Sequence, residues 1–368
     1  MHINRLLSID VFRGITIVLM ILVNSPGNHV VYPWLKHSTW NGCTLADLVF
    51  PFFIFIVGIS AVFSLTKAKN NPDLSLNSLI IQVLKRSIFM FAIGLFLNAF
   101  PYHFDLSTLR ILGVLQRIAI CYFCASLLFL TTRMEIQAAI AGLLLIGYWF
   151  IMTFVFVPGY GTNQLTVEGN LAAYLDRLFF SPSHLYGKIY DPEGLLSTFP
   201  AIATTLIGNL TGMWLLSSYS AWEKMTRMAF AGLLALLIGG VWGLWFPVNK
   251  TLWTSSYVLW TGGFALIGLA FCYWLIEIKG WKKWSRLFEM FGVNAMAAYV
   301  LHVFFLKIQA MISIPHDGFT DNLRVFITAY FFGGMSLKNG SLLYALSYTL
   351  IWLLVLTILY RRKIFIKI

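Results

Sequence analysis

The chain has 368 residues, 59% hydrophobic and 11% charged, with 26 Lys and Arg against 14 Asp and Glu, a net charge of +12. Soluble domains carry about 25% charged residues, so this composition excludes a soluble globular protein and leaves a polytopic membrane protein. The short alternating segments of a β-barrel are absent, and the basic excess comes with no nucleic-acid-binding motif, so no nucleic acid is expected as a partner.

Apolar stretches of roughly 20 residues recur, each long enough to span as a helix. The expected fold is all-α with about ten transmembrane helices, at approximately 9–28, 45–65, 79–100, 110–130, 136–157, 195–216, 226–246, 255–277, 286–306 and 341–360. The first apolar stretch follows "MHINRLLSIDVFRG" and lacks a small-residue cleavage site, so it reads as a retained helix. The segment "LRVFITAYFFGG" at 323–334 is too short to span and reads as re-entrant or interfacial. No internal repeat stands out, and residues 1–368 read as one domain.

Positive charge sorts by side. With the N-terminus in the cytoplasm, Arg5, Lys67, Lys69, Lys85, Arg86, Lys282, Lys283, Arg286, Arg361 and Lys367 fall together on inner segments. Both termini are then cytoplasmic, and two loops, about 25–44 and 158–194, are extracytoplasmic. The second is too long for a minimal turn and is a candidate functional element.

Polar side chains at membrane depth are costly and face a cavity or a partner. Asp10 and Arg13, three apart at the inner end of the first helix, suit either a structural pair or an anion-binding vestibule. Asn24 before Ser-Pro-Gly suits a helix terminator. His37 lies ten residues before Asp47, with Trp40 and Asn41 between. Asp47 either ends its helix, as a carboxylate favours a helix N-terminus, or orients the His37 imidazole as in acyl-transfer sites. Arg117 is too deep to reach water easily and needs an anionic or solvated partner. Asn294 and His302, eight apart on the expected ninth helix with Glu289 below, share a face there and suit either interhelical hydrogen bonds or a site. Cys121 and Cys124 form a CxxC inside an apolar run and read as small buried residues. No zinc spacing, HExxH, Walker loop or GxSxG appears, so no metal is expected.

The same residues carry a family likeness. "RLLSIDVFRGITIVLMILVN", "WLKHSTWNGCTLADLVFPFFIFIVG", "LRILGVLQRIAICYF", "YDPEGLLSTFPAIATTLIGNLTG" and "VNAMAAYVLHVF" resemble the heparan-α-glucosaminide N-acetyltransferase family, in a bacterial-type form. The resemblance implies a transmembrane enzyme that takes acetyl-CoA from the cytosol and acetylates the amine of an amino sugar, of glucosamine type, across the membrane. It places the active histidine on His37, its paired aspartate on Asp47 and a polar asparagine on Asn24. His37 would serve as general base or acyl carrier, and Asn24 as a donor to the thioester oxygen. Arg117, Arg13 and Asp10 are the candidate coenzyme-binding residues, and Trp40, Asn41, Asn294 and His302 the candidate acceptor-binding ones. Expected partners are an amino-sugar or oligosaccharide acceptor, membrane lipid and a second copy of the chain; the expected location is the bacterial inner (cytoplasmic) membrane. Two alternatives stand beside this one. A membrane O-acyltransferase acting on periplasmic glycans would share the histidine, and an ion-coupled sugar transporter would share the helices and buried charges.

Overall fold

The computed structural model describes residues 6–101, 105–316 and 319–365; Arg5 and Lys367 of the charge count lie outside them. The protein is all-α and polytopic, as its composition requires. Among the described residues nine helices are long and apolar enough to cross a membrane, ten if one bent pair counts as a single span. In chain order the helices are α1 Leu7–Asn24, α2 Leu45–Lys69, α3 Leu76–Ala99, α4 Val114–Thr131, α5 Met134–Phe154, α6 Leu171–Phe179, α7 Thr198–Leu216, α8 Ala221–Trp242, α9 Ser255–Tyr273, α10 Arg286–Val293, α11 Ala295–Met311, α12 Leu323–Phe332 and α13 Leu337–Arg361. A two-stranded antiparallel hairpin, Ser313–His316 with Phe319–Asn322, precedes α12.

Helices α2 and α7 are the most enclosed and α8 the least. In a bilayer, helices associate through close packing, and small residues let their backbones approach. The α2–α7 contact works this way from both sides. A Cβ added at Gly58 would lie 2.1 Å from the Thr205 carbonyl oxygen, and one at Gly208 would lie 2.1 Å from that of Phe55. Helices α1 and α10 repeat the arrangement: a Cβ at Gly14 would meet the Phe288 carbonyl and one at Gly292 the Asp10 carbonyl, each at under 2 Å by the same construction.

The expected ninth span differs from the structure. It breaks at Asn294 (φ −111°, ψ 34°), and α10 and α11 meet at 78°. Helix α10 is tied to α1 by the glycine contacts, and Asn294 Nδ2 donates to the Ile364 carbonyl at 3.2 Å. Asn294 therefore sits between two helices and does not share a helix face with His302, whose Nδ1 meets the Ala298 carbonyl at 2.9 Å on α11. The short stretch at 323–334 forms α12, ten residues long, with Thr328 Oγ1 donating to the Gly27 carbonyl at 3.1 Å.

The bundle has two chemically distinct ends. One carries the start of α1, the finish of α2 and its Lys67 and Lys69, and is called the basic end. The other, the loop end, carries segments 25–44 and 158–194 and the connection 243–254. Trp40 Nε1 donates to the Leu165 carbonyl at 2.8 Å, and the Gly42 N–H to the Val248 carbonyl at 2.7 Å, so these three segments form one cap.

Candidate active site

At the loop end Thr44 and Asp47 form a capping box at the start of α2, the arrangement that satisfies free N–H groups of a helix start. Asp47 is fully buried and uses its two oxygens differently. Oδ2 accepts from the Ser38 and Thr44 N–H groups, both at 3.0 Å, and lies 3.1 Å from the Thr44 hydroxyl. Oδ1 lies 2.8 Å from His37 Nδ1. The two functions that the sequence left as alternatives, ending the helix and holding the imidazole, thus fall on one carboxylate. The His37 side chain itself is 49% exposed.

Pro51, four residues beyond Asp47 in α2, has no N–H and leaves the Asp47 backbone carbonyl without its helical partner. The buried Tyr257 hydroxyl fills that position at 2.6 Å, so α9 also fixes the Asp47 backbone. Lys250 reaches the same place from the α8–α9 connection. Its Nζ lies 3.0 Å from His37 Nδ1, 3.3 Å from Nε2 and 3.6 Å from Asp47 Oδ1. Burial pushes the Lys250 ammonium below its ordinary pKa, against the pull of the Asp47 and Glu193 carboxylates. The adjacent Cys43 thiol is pushed up to about 12 by burial and by the Asp47 charge, which leaves it neutral.

The long loop is clamped from the α3–α4 connection. Arg110 Nε and Nη2 bind Asp191 at 2.8 and 2.6 Å, and Nη2 also binds Glu193; its guanidinium lies over the Tyr186 ring at 4.9 Å. Burial would lower the Arg110 pKa, but the two carboxylates hold it above its ordinary value. Nearby Asp176 on α6 is pushed up to about 6 by burial. Arg117 is buried beside this clamp. Its Nη2 donates to the Gly194 carbonyl at 3.1 Å and to the Ser197 hydroxyl, and its guanidinium lies 5.1 Å from the Trp253 ring centre. Its Nε and Nη1 meet no hydrogen-bond acceptor among the described residues.

A cavity of about 530 Å³ opens at the basic end, lined by Asp10, Arg13, Lys67, Arg86, Phe53 and Met90 among others. Arg13 Nη1 pairs with Asp10 Oδ1 at 2.9 Å and donates to the Gly292 carbonyl at 3.0 Å, while Nη2 donates to the Ser60 hydroxyl at 2.7 Å. The cavity follows α2. Lys67 stands about 30 Å along the helix axis from Asp47, and Phe53 only about 9 Å, at 1.5 Å per residue. Three cations thus mark one end of the cavity, and its apolar wall reaches toward the His37 site.

Of the residues singled out in the sequence, His37, Asp47, Trp40 and Asn41 meet in the cap. Trp40 packs edge-on to Tyr190 at 5.9 Å, and Asn41 Oδ1 accepts from Asn249 Nδ2 at 3.1 Å. Asn24 ends α1 with an exposed side chain. Asp10 and Arg13 line the basic-end cavity; Arg117 lies apart from it. Asn294 and His302 lie in the bundle interior, both fully buried. Lys250, Glu193 and Arg110 are not singled out in the sequence, and Lys67 and Arg86 figure there only as charges that sort by side. For Lys250 a signal was present: "PVNKTLW" is a short polar connection on the side already assigned to His37.

A family model described as heparan-alpha-glucosaminide N-acetyltransferase, catalytic, matches residues 5–246. That range includes His37, Asp47, Arg110 and Glu193 and stops short of Lys250. The human protein named heparan-alpha-glucosaminide N-acetyltransferase is 31% identical over 424 aligned residues, covering 99% of this chain and 60% of the human one. The mouse protein of the same name is 29% identical over 422 residues, covering 99% and 61%. The chain spans about three fifths of the length of these relatives.

Proposed function

The chain belongs to the heparan-alpha-glucosaminide N-acetyltransferase family, and from that premise we propose that it transfers the acetyl group of acetyl-CoA to the amine of a glucosamine-type acceptor across a membrane. The donor enters from the cytoplasm at the basic end. The acceptor binds at the extracytoplasmic loop end, against Trp40 and Asn41, in a multi-pass protein of the bacterial cytoplasmic membrane. The observation that carries this reading is the pairing of His37 with Asp47 at the start of the same helix whose far half lines the cationic cavity.

The chemistry follows from the groups present. An amino-sugar amine is largely protonated near neutral pH and must lose a proton to attack. The ammonium loses that first proton to water, giving the neutral amine. Histidine has a pKa near the working range and suits removal of the second. As the amine nitrogen bonds to the thioester carbonyl carbon, His37 takes the second proton from that nitrogen while Asp47 orients the ring and stabilises the imidazolium. The carbon–sulfur bond breaks, and the proton passes from His37 to the leaving thiolate. In the donor cavity Arg13, Lys67 and Arg86 face the coenzyme phosphates, and the apolar wall from Ile56 to Phe53 takes the uncharged arm that carries the acetyl group.

Vesicles containing the purified protein test chemistry and sidedness together. Acetyl-CoA is supplied on the face of the basic end and amino sugars on the other, with products read by mass spectrometry. N-acetylated glucosamine on the far side is expected. Product carrying acetyl only on hydroxyls would replace this reading with O-acyl transfer, and sugar flux without acetylation would replace it with transport. Product formed only with donor and acceptor exchanged would reverse the orientation.

A further inference from the structure

A carboxylate hydrogen-bonded to a histidine favours the charged ring, yet a general base must be neutral when it meets its substrate. Asp47 alone therefore works against the readiness of His37. Lys250 supplies the opposing charge. It comes from 213 residues away in the chain, and its Nζ lies within 3.3 Å of both ring nitrogens. Contact with both nitrogens at once places the ammonium alongside the ring, not in line with a single lone pair, and a second proton anywhere on the ring would be close to it.

The lysine is held in this position. Val248 accepts the Gly42 N–H at 2.7 Å, Asn249 Nδ2 binds Asn41 at 3.1 Å, and Asn249 Oδ1 accepts the Leu252 N–H at 2.9 Å. The α8–α9 connection is thereby pinned to the segment that carries His37. Asp47 on α2 and Lys250 on this connection face the ring; Glu193 at the end of the long loop acts on Lys250, and the neutral Cys43 thiol and the Tyr257 hydroxyl lie toward Asp47.

We propose that Lys250 is a positioning residue for His37, its ammonium keeping the imidazole unprotonated until the acceptor arrives. The proposal rests on the reading of His37 as the base. Asp47 then balances one positive charge, which the ring and the lysine cannot both carry at low cost. When the acceptor amine gives its proton to His37, the imidazolium forms beside a cation. The same repulsion that kept the ring neutral drives the proton onward to the departing thiolate. A plain structural ion pair between Lys250 and Asp47 would hold the loop but would not set the protonation of the ring.

The test is the pH dependence of His37 carbethoxylation by diethyl pyrocarbonate, which reacts with neutral imidazole, read by peptide mass spectrometry on the full-length purified protein. In Lys250→Met, and in Lys250→Gln as a second uncharged variant, the midpoint of His37 reactivity should rise by roughly one pH unit or more. Lys250→Arg should leave it near the wild-type value. The acid limb of the kcat/KM profile should move with it. An unmoved midpoint in either folded uncharged variant, or an equal shift in the arginine variant, overturns the proposal. The underlying reading fails differently. If His37→Ala still acetylates at the wild-type rate while the midpoint moves, His37 is not the base and Lys250 loses its catalytic meaning. If His37→Ala is inactive and the midpoint stays, only the role of Lys250 falls.

Discussion

The loop end and the basic end of the bundle use charge in opposite ways. At the loop end three carboxylates are enclosed and saturated: Asp47 has donors on both oxygens, and Asp191 and Glu193 share Arg110. At the basic end the cations outnumber the carboxylates in the cavity lining, and Lys67 and Arg86 are exposed at its rim. A saturated carboxylate fixes geometry, whereas a cation at an open rim attracts an anionic ligand and binds it through a flexible stem. On the proposed function, substitutions at the loop end should therefore change turnover or folding, and those at the basic end should change donor affinity.

The strongest way to break that contrast is at His37. General-base catalysis contributes about 10²–10⁴-fold, so His37→Ala should lower turnover by that order with little change in thermal stability. Asp47→Asn should cost no more, and the double variant should not lose the product of the two factors, because the residues act as a unit. Independent, multiplying losses would leave Asp47 as a helix cap alone. The next effect is on stability. Arg110→Ala strands two buried carboxylates, and breaking such a buried pair costs about 3–5 kcal/mol. A markedly lower unfolding temperature in detergent is expected. A temperature close to wild type would mean that the clamp does not hold the long loop. The smallest effect belongs to the rim. An exposed charge contributes up to about 1 kcal/mol, so Lys67→Ala with Arg86→Ala should raise the KM for acetyl-CoA by roughly fivefold and leave kcat nearly constant. A fall in kcat with KM unchanged would dissolve the division between the two ends.

The parts of this architecture visible in the sequence were those written locally. Apolar runs placed the spans, and the ten-residue separation of His37 from Asp47 kept the pair within one loop and one helix start. The likeness of that stretch to its family pointed to the same two residues. What stayed hidden was joined across the chain. Lys250 meets His37, and Arg110 meets Asp191, through connections that hydropathy reads only as polar loop. The break at Asn294 was hidden for a different reason. The apolar run continues through it, while the close approach of Gly292 to the Asp10 carbonyl and the bond from Asn294 to Ile364 join segments far apart in the chain. Arg117 shows the converse. Its depth was legible, but its neighbours are the Gly194 carbonyl, Ser197 and Trp253 at the loop end, away from the cavity at the other.

The reciprocal glycine contacts set a mechanical limit on the donor cavity. Helix α2 cannot slide past α7, nor α10 past α1, without parting backbones already in contact at Gly58, Gly208, Gly14 and Gly292. Three of these helices, α1, α2 and α10, line the cavity. Its remaining side includes α3, a helix with much of its surface facing outward. The cavity is thus bounded by closely packed backbones along α1, α2 and α10, by α4 and α11, and by the outward-facing α3. On the proposed function, a bulkier acyl group would be accommodated by displacing α3 toward lipid, and the thickness and stiffness of the surrounding bilayer would enter the tolerance of the enzyme for its donor.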